Sequence, residues 1–265
     1  MSSLGALVEN GTLSRPAADL LTLDAWAKGS MLISGGPGSG KSTLLGAVLA
    51  TARDDHNVRL CEELAEVVFQ SIPASSDIRG RQRYQAIPPG PWGQGGRSLQ
   101  DLVRLTVRTR PDVLALGEVR GQESWELARA SRAGVGWLTT ILANSAEDGL
   151  EALVLTALGA GPDLTEDRIR RTFARSLDLV VHMERDDPHL VGDNASHRVR
   201  EIRAVAPVLG NELRTEPIFE RKGGPGSPLT WTGQLPAATL LGHRLERLLP
   251  EGTTLRDVLL GRAGL

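Results

Sequence analysis

Short apolar runs alternate with stretches of helical spacing through the first two thirds of the chain. Positions 31–34, 58–61, 113–116 and 137–142 read as short buried strands. Between them, 42–52 and 124–132 read as helices. A further helix begins at Ser98, with Asp101 spaced for a capping box and Leu99, Leu102, Val103 and Val107 on one face, and stops at Pro111. Ser145 with Asp148, before a helix over 149–158, has the same spacing. So does Asp163 with Glu166, before a helix carrying Ile169, Phe173 and Leu177. Strand alternating with helix predicts an α/β fold: a mainly parallel sheet, right-handed crossovers and both faces covered.

The pattern changes at both ends. Positions 3–28 predict two short helices divided by Asn10 and Gly11, the second capped by Ser14 with Pro16 in its first turn. After position 178, the runs 179–183, 199–205 and 213–219 read as strands joined by turns, an antiparallel extension of the sheet, with Pro207 just past the end of the second. Residues 71–97 and 222–233, rich in Gly, Pro and Ser, read as irregular loops. Terminal helices are predicted over 235–249 and 255–260.

Composition narrows the class. The chain has 265 residues, 40% hydrophobic and 23% charged, with a formal net charge of −2. At ~100–200 residues per domain this is one large domain, or one with a small appendage. A lone cysteine, Cys61, excludes an internal disulfide framework. No leader pattern opens the sequence, and no apolar run approaches the ~20 residues of a membrane span, so the expected location is the cytoplasm. The near-neutral charge argues against a nucleic-acid partner. Lysine is confined to Lys28, Lys41 and Lys222, which draws attention to the one inside a glycine loop.

That loop is Gly35, Gly36, Pro37, Gly38, Ser39, Gly40, Lys41, Ser42 and Thr43, between an apolar strand and a helix. It fits the phosphate-binding pattern G-x-x-x-x-G-K-[ST] in full. Glycines let successive amides turn inward on phosphate oxygens, and the following helix adds its positive end. Lys41 would reach the β- and γ-phosphates of ATP, and the Ser42 hydroxyl would ligate Mg²⁺. Glu118 follows the strand 113–116, at the ligand-binding edge of a parallel sheet, where it could hold Mg²⁺ through water or orient the attacking water. Glu62, Glu63 and Glu66 follow the neighbouring strand, so acids at two strand tips could divide metal binding and general-base work.

These pieces, in this order, resemble the ATPases of type II and type IV secretion systems, most of all those that drive Flp/Tad pilus assembly. The likeness rests on ISGGPGSGKSTLL, EELAE, SLQDLVRLTVRTRPDVLALGEVRGQE, WLTTILANS, IRRTFARSLDLVVHMER and the closing TGQLP. It implies a RecA-like P-loop NTPase domain, a homo-oligomeric ring of six subunits, and ATP hydrolysis coupled to a pilus or secretion apparatus. An inner-membrane platform protein is the implied partner, which places the chain at the cytoplasmic face of that membrane. By position, Glu62 matches the general base, Glu118 the Walker B glutamate, and Lys41 and Ser42 the phosphate and metal ligands. Arg108, Arg110 and Arg120 fall where phosphate charge or ring contacts are expected.

The sequence departs from the family in three places. Leu142 stands where its histidine box has histidine, and Val135 marks where a second histidine is lost. Residues 1–30 are expected to be a short helical segment in place of a whole N-terminal domain, before a core over 31–221 and a C-terminal loop and helices over 222–265. The stretch 79–97 diverges, with Arg79, Arg81, Arg83, Arg97, Tyr84 and Trp92 in it. The leading expectation is therefore an ATP-hydrolysing motor subunit. The alternatives are a catalytically weak nucleotide-binding assembly subunit and, third, a nucleic-acid or conjugation motor.

Overall fold

The computed structural model describes residues 3–69, 80–91, 94–185, 197–206, 213–223, 226–236 and 240–265. Helices α1 (Leu4–Glu9) and α2 (Arg15–Trp26) lead into β1 (Met31–Gly35), then α3 (Lys41–Ala50) and β2 (Val58–Glu62). Next come β3 (Arg81–Gln85), α4 (Leu99–Val107), β4 (Val113–Leu116), α5 (Glu123–Arg132) and β5 (Gly136–Leu142). Helices α6 (Ala146–Leu158) and α7 (Glu166–Ser176) precede β6 (Leu179–Arg185), β7 (His197–Ala206), β8 (Arg214–Arg221) and β9 (Leu229–Trp231). Helices α8 (Leu240–Glu246) and α9 (Leu255–Leu259) close the chain.

Among the described residues nine strands form one sheet in the order β3-β2-β4-β5-β1-β6-β7-β8-β9. Pairings from β3 across to β6 are parallel, and those from β6 to β9 are antiparallel. This is the expected α/β architecture, antiparallel extension and C-terminal helices included. Strands β1, β2 and β4 are buried along their whole length, which is why they read as apolar runs rather than as alternation.

Two apolar clusters sandwich the sheet. On one face, Leu20 of α2, Leu44 and Val48 of α3 and Val258 of α9 pack on β1 and β6. On the other, Leu102 of α4, Leu127 of α5, Leu153 of α6 and Phe173 of α7 pack on β4 and β5. Trp137 and Phe173 meet edge to face at 6.3 Å. Each such side chain, fully buried, contributes ~1.5–3 kcal/mol. The N-terminal helices and the C-terminal helices belong to the first cluster, so both ends of the chain complete the core that holds α3.

Several local expectations are corrected. The span 71–97, read as irregular, contains β3, an edge strand whose residues are polar and half exposed because it has a single neighbour. The loop 222–233 contains β9. The helix expected over 235–249 is described over Leu240–Glu246. Ser98 and Asp101 form the expected capping box, and Ser145 accepts from the Asp148 amide. Asp163 does not cap α7; Thr165 does, accepting from the Arg168 amide. Ser14 sits at the N-cap of α2 without a side-chain capping bond. Arg79, Trp92 and Pro207 lie outside the described residues.

Candidate functional site

The C-terminal ends of β1, β2, β4 and β5 converge on one edge of the sheet, and the loop from β1 to α3 lies across it. Below the loop, Ser34 Oγ meets His182 Nδ1 of β6 at 2.9 Å, a buried polar pin beneath the first glycine. Burial holds the His182 imidazole below its ordinary pKa, in spite of Glu184, Glu201, Asp148 and Glu147 nearby.

The loop wraps a cavity of about 580 Å³. Residues from Pro37 to Leu44 form one wall. Gly40, the N-cap of α3, has φ +92°, and a Cβ there would meet His197 Cβ and the Met183 side chain at 3.3 Å. Only glycine turns the amides inward at that point without strain. Lys41 Nζ donates to the Gly36 carbonyl at 2.8 Å, folding the ammonium back over the loop. Burial lowers the Lys41 pKa, opposed by Glu118 and Glu66. Ser39 Oγ is buried with no hydrogen-bond partner. A buried ammonium beside a glycine turn at the start of a helix is the arrangement of a phosphate cradle.

The facing wall carries the acids. Glu118 and Glu66 both line the cavity with Lys41 and Ser42. Arg120 is folded onto Glu118, its Nε 2.6 Å from Oε2, and this bond raises the guanidinium pKa. The turn that presents Arg120 is held by Glu123, whose Oε1 accepts from the Arg120 and Gly121 amides at 2.7 and 2.8 Å. Ser42 and the two glutamates offer oxygen donors alone, the type Mg²⁺ takes. Among the described residues no group of three acids, histidines or cysteines forms a metal cage.

Glu62 and Glu66 both line a small cleft with Ser42 and Glu118, and Glu62 is the more deeply buried. It is buried beside the acids, packed on Gly117, where a Cβ would meet its Cγ at 2.9 Å. Its Oε1 accepts from the Glu66 and Val67 amides at 3.1 and 2.9 Å. Its Oε2 lies 3.1 Å from Arg83 Nε of β3. Glu62 thus holds the turn that swings Glu66 toward the phosphate loop.

Other sequence candidates separate. Gly35 lies under the loop, where a Cβ would strike the Met183 carbonyl and Ser39 Oγ at 2.5 Å. Leu142, paired with Gly35 across β1 and β5, lines the cavity and is 49% exposed. Arg108 lines a different cavity, between α4 and α5, and Arg110 sits exposed at the turn into β4. Two contributions were not anticipated. His197 from β7 reaches the cavity, and Leu7, Asn10 and Thr12 close its far side.

A sequence model described as "Type II/IV secretion system protein" matches residues 3–199. The chain belongs to this family. Within it, the chain is 30% identical over 195 residues to the conjugal transfer protein TrbB of Rhizobium radiobacter, covering 71% of this chain and 51% of that protein. It is 28% identical over 159 residues to the type IV secretion system protein VirB11 of Bartonella henselae, covering 59% and 42%. Among solved structures, the VirB11 ATPase of Brucella suis, crystallised with sulfate, shares the fold with a TM-score of 0.55 and 24% identity, over 75% of this chain and 54% of that one. The chain spans about half the length of the curated relatives it matches. No helix among the described residues is long and apolar enough to cross a membrane.

Proposed function

We propose that the chain binds MgATP in the phosphate-loop cavity and hydrolyses it as a motor subunit of a secretion or pilus-assembly machine. The observation that carries this reading is the meeting of Lys41, Ser42, Glu66 and Glu118 around one cavity at the C-terminal edge of a parallel sheet. Amides from Gly38 to Ser42 and the Lys41 ammonium bind the β- and γ-phosphates. Ser42 Oγ and, through water, Glu118 would hold Mg²⁺, which neutralises developing charge on the phosphates.

Glu66 is the carboxylate free to take a proton from the attacking water. Glu62 has one oxygen engaged by two amides and the other beside Arg83, and acts by holding that turn. Arg120, held on Glu118, supplies positive charge at the mouth of the site, and Glu118 is the carboxylate that would hold the metal. Thr140, Leu142 and Arg120 frame an open side, and a neighbouring subunit in a six-membered ring is our choice to complete it. The relatives' names point to a type IV machine, and an inner-membrane platform on the cytoplasmic side is the partner we propose.

A second reading, a nucleotide-binding subunit with little catalysis alone, is favoured by Leu142. A leucine at the cavity rim cannot donate a hydrogen bond to a γ-phosphate. Steady-state phosphate release by the purified chain with MgATP separates the two. Release abolished in Lys41→Ala supports the motor. Full nucleotide binding without release, restored by Leu142→His, supports the second reading.

A further inference from the structure

On the opposite face of the sheet from α3, helices α5 and α7 enclose a second cavity of about 600 Å³. Four arginines line it: Arg132 from the last turn of α5, and Arg168, Arg171 and Arg175 from α7. The three on α7 stand at i, i+3 and i+7, one stripe of positive charge about 10 Å long at ~1.5 Å per residue. Like charges at this spacing oppose the helix that carries them. Two of the acids at hand are engaged elsewhere. Glu151 and Glu166 are both bound by Arg170, on the other flank of the helix. No carboxylate among the described residues stands within ion-pair distance of Arg132, Arg168 or Arg175. Arg171 gives its Nε to the Asp167 carbonyl at 3.2 Å, and the chain as a whole is slightly acidic, so this concentration of guanidinium is local.

We propose that this cavity is a second anion site, for a compact ligand bearing two or more phosphate groups. Guanidinium forks match phosphate oxygens in pairs, and Lys, which does so less well, is absent from the cavity. Hydroxyls accompany the arginines: Thr165 at the N-cap of α7, and Ser176, whose Oγ has no hydrogen-bond partner. Among the described residues of the lining Ala128 is the one apolar side chain, which disfavours a peptide anchored by hydrophobic side chains. A concave shape and a volume close to that of the phosphate-loop cavity suit a small polyanion better than an extended chain. The phosphates can come from a soluble polyphosphate-type molecule or from a phospholipid headgroup.

The test uses the full chain and the variant Arg168→Gln/Arg171→Gln/Arg175→Gln, which keeps helix propensity and removes three exposed charges. Arg175→Glu alone is the back-up if the triple variant loses its native melting transition. Calorimetric titration with tripolyphosphate, in protein saturated with a non-hydrolysable MgATP analogue, is expected to show one site. The triple variant should weaken it at least tenfold. A tripolyphosphate site lost in the variant identifies the soluble source. Sedimentation with cardiolipin vesicles, whose headgroup carries two phosphates, but not with phosphatidylcholine vesicles, lost in the variant and without tripolyphosphate binding, identifies the headgroup source. Binding of neither, or binding unchanged by the variant, overturns the proposal. So does variant-sensitive binding of a short single-stranded DNA with no tripolyphosphate site.

Discussion

Arg83 on the edge strand lies against Glu62 at the tip of its neighbour, Nε 3.1 Å from Oε2. The pair joins β3 to the acidic turn, and Arg83 also donates to the Val67 carbonyl. Glu62 is 1% exposed, so removing Arg83 leaves its Oε2 buried without a counter-charge, while Oε1 keeps its two amide donors. Arg83→Ala is therefore expected to cost about 3 kcal/mol, the low end for breaking a buried pair because Arg83 is partly exposed. Urea unfolding checks this. A loss under ~0.5 kcal/mol, the scale of a surface substitution, would reduce the pair to an ordinary surface contact.

Glu66 and Glu62 should part company in kinetics. Glu66→Gln is expected to keep nucleotide affinity within a few-fold while turnover falls by ~10²-fold or more, the usual contribution of a positioned base. Glu62→Gln should act first on stability, with turnover following the order of the turn. Glu118→Gln should permit binding and lower turnover, with a raised Mg²⁺ requirement. Phosphate release and nucleotide affinity measured on all three variants decide it. Normal turnover in Glu66→Gln with native stability would return the role to Glu62.

Asp24 gives the fold a pH dependence. Its carboxyl is fully buried on α2, and neither oxygen has a hydrogen-bond partner among the described residues. Burial, and then Asp178, hold its pKa well above the ordinary 3.8, with Arg244 pulling the other way. A carboxyl whose folded pKa is raised supports the fold fully below its unfolded pKa. That support is lost as pH rises through the folded value. Asp24→Asn is expected to stabilise the chain, more at about pH 8 than at about pH 5. Urea midpoints at the two pH values test it, and a gain that shrinks as pH rises would contradict it.

How much of this was legible depends on whether a signal is contiguous. The phosphate loop occupies consecutive positions, so its residues, its strand and its helix could be read together. Glu118 was legible because an apolar run ends just before it. Where Glu66 stands relative to Glu62 was not, since strand pattern fixes the tip of β2 but not the turn after it, and that turn is set by amides binding back to Glu62. Strand β3, with the sequence RQRYQ, hid because an edge strand with half-exposed sides shows no apolar run. Thr165 was passed over for Asp163 because the residue three beyond Thr165 is Arg168, which cannot complete a capping box. His197 enters the site from the antiparallel hairpin, across a register shift in the pairing of β6 with β7, and nothing local marks it.

Everything proposed for the site requires a triphosphate to sit among the amides from Gly38 to Ser42 with Lys41 over it. Calorimetric titration of the purified chain and of Lys41→Ala with a non-hydrolysable MgATP analogue tests this most directly. The expected result is one saturable site per chain that Lys41→Ala removes while the melting transition stays native. Equal affinity in the two proteins, or no site in either at saturating analogue, would contradict the account.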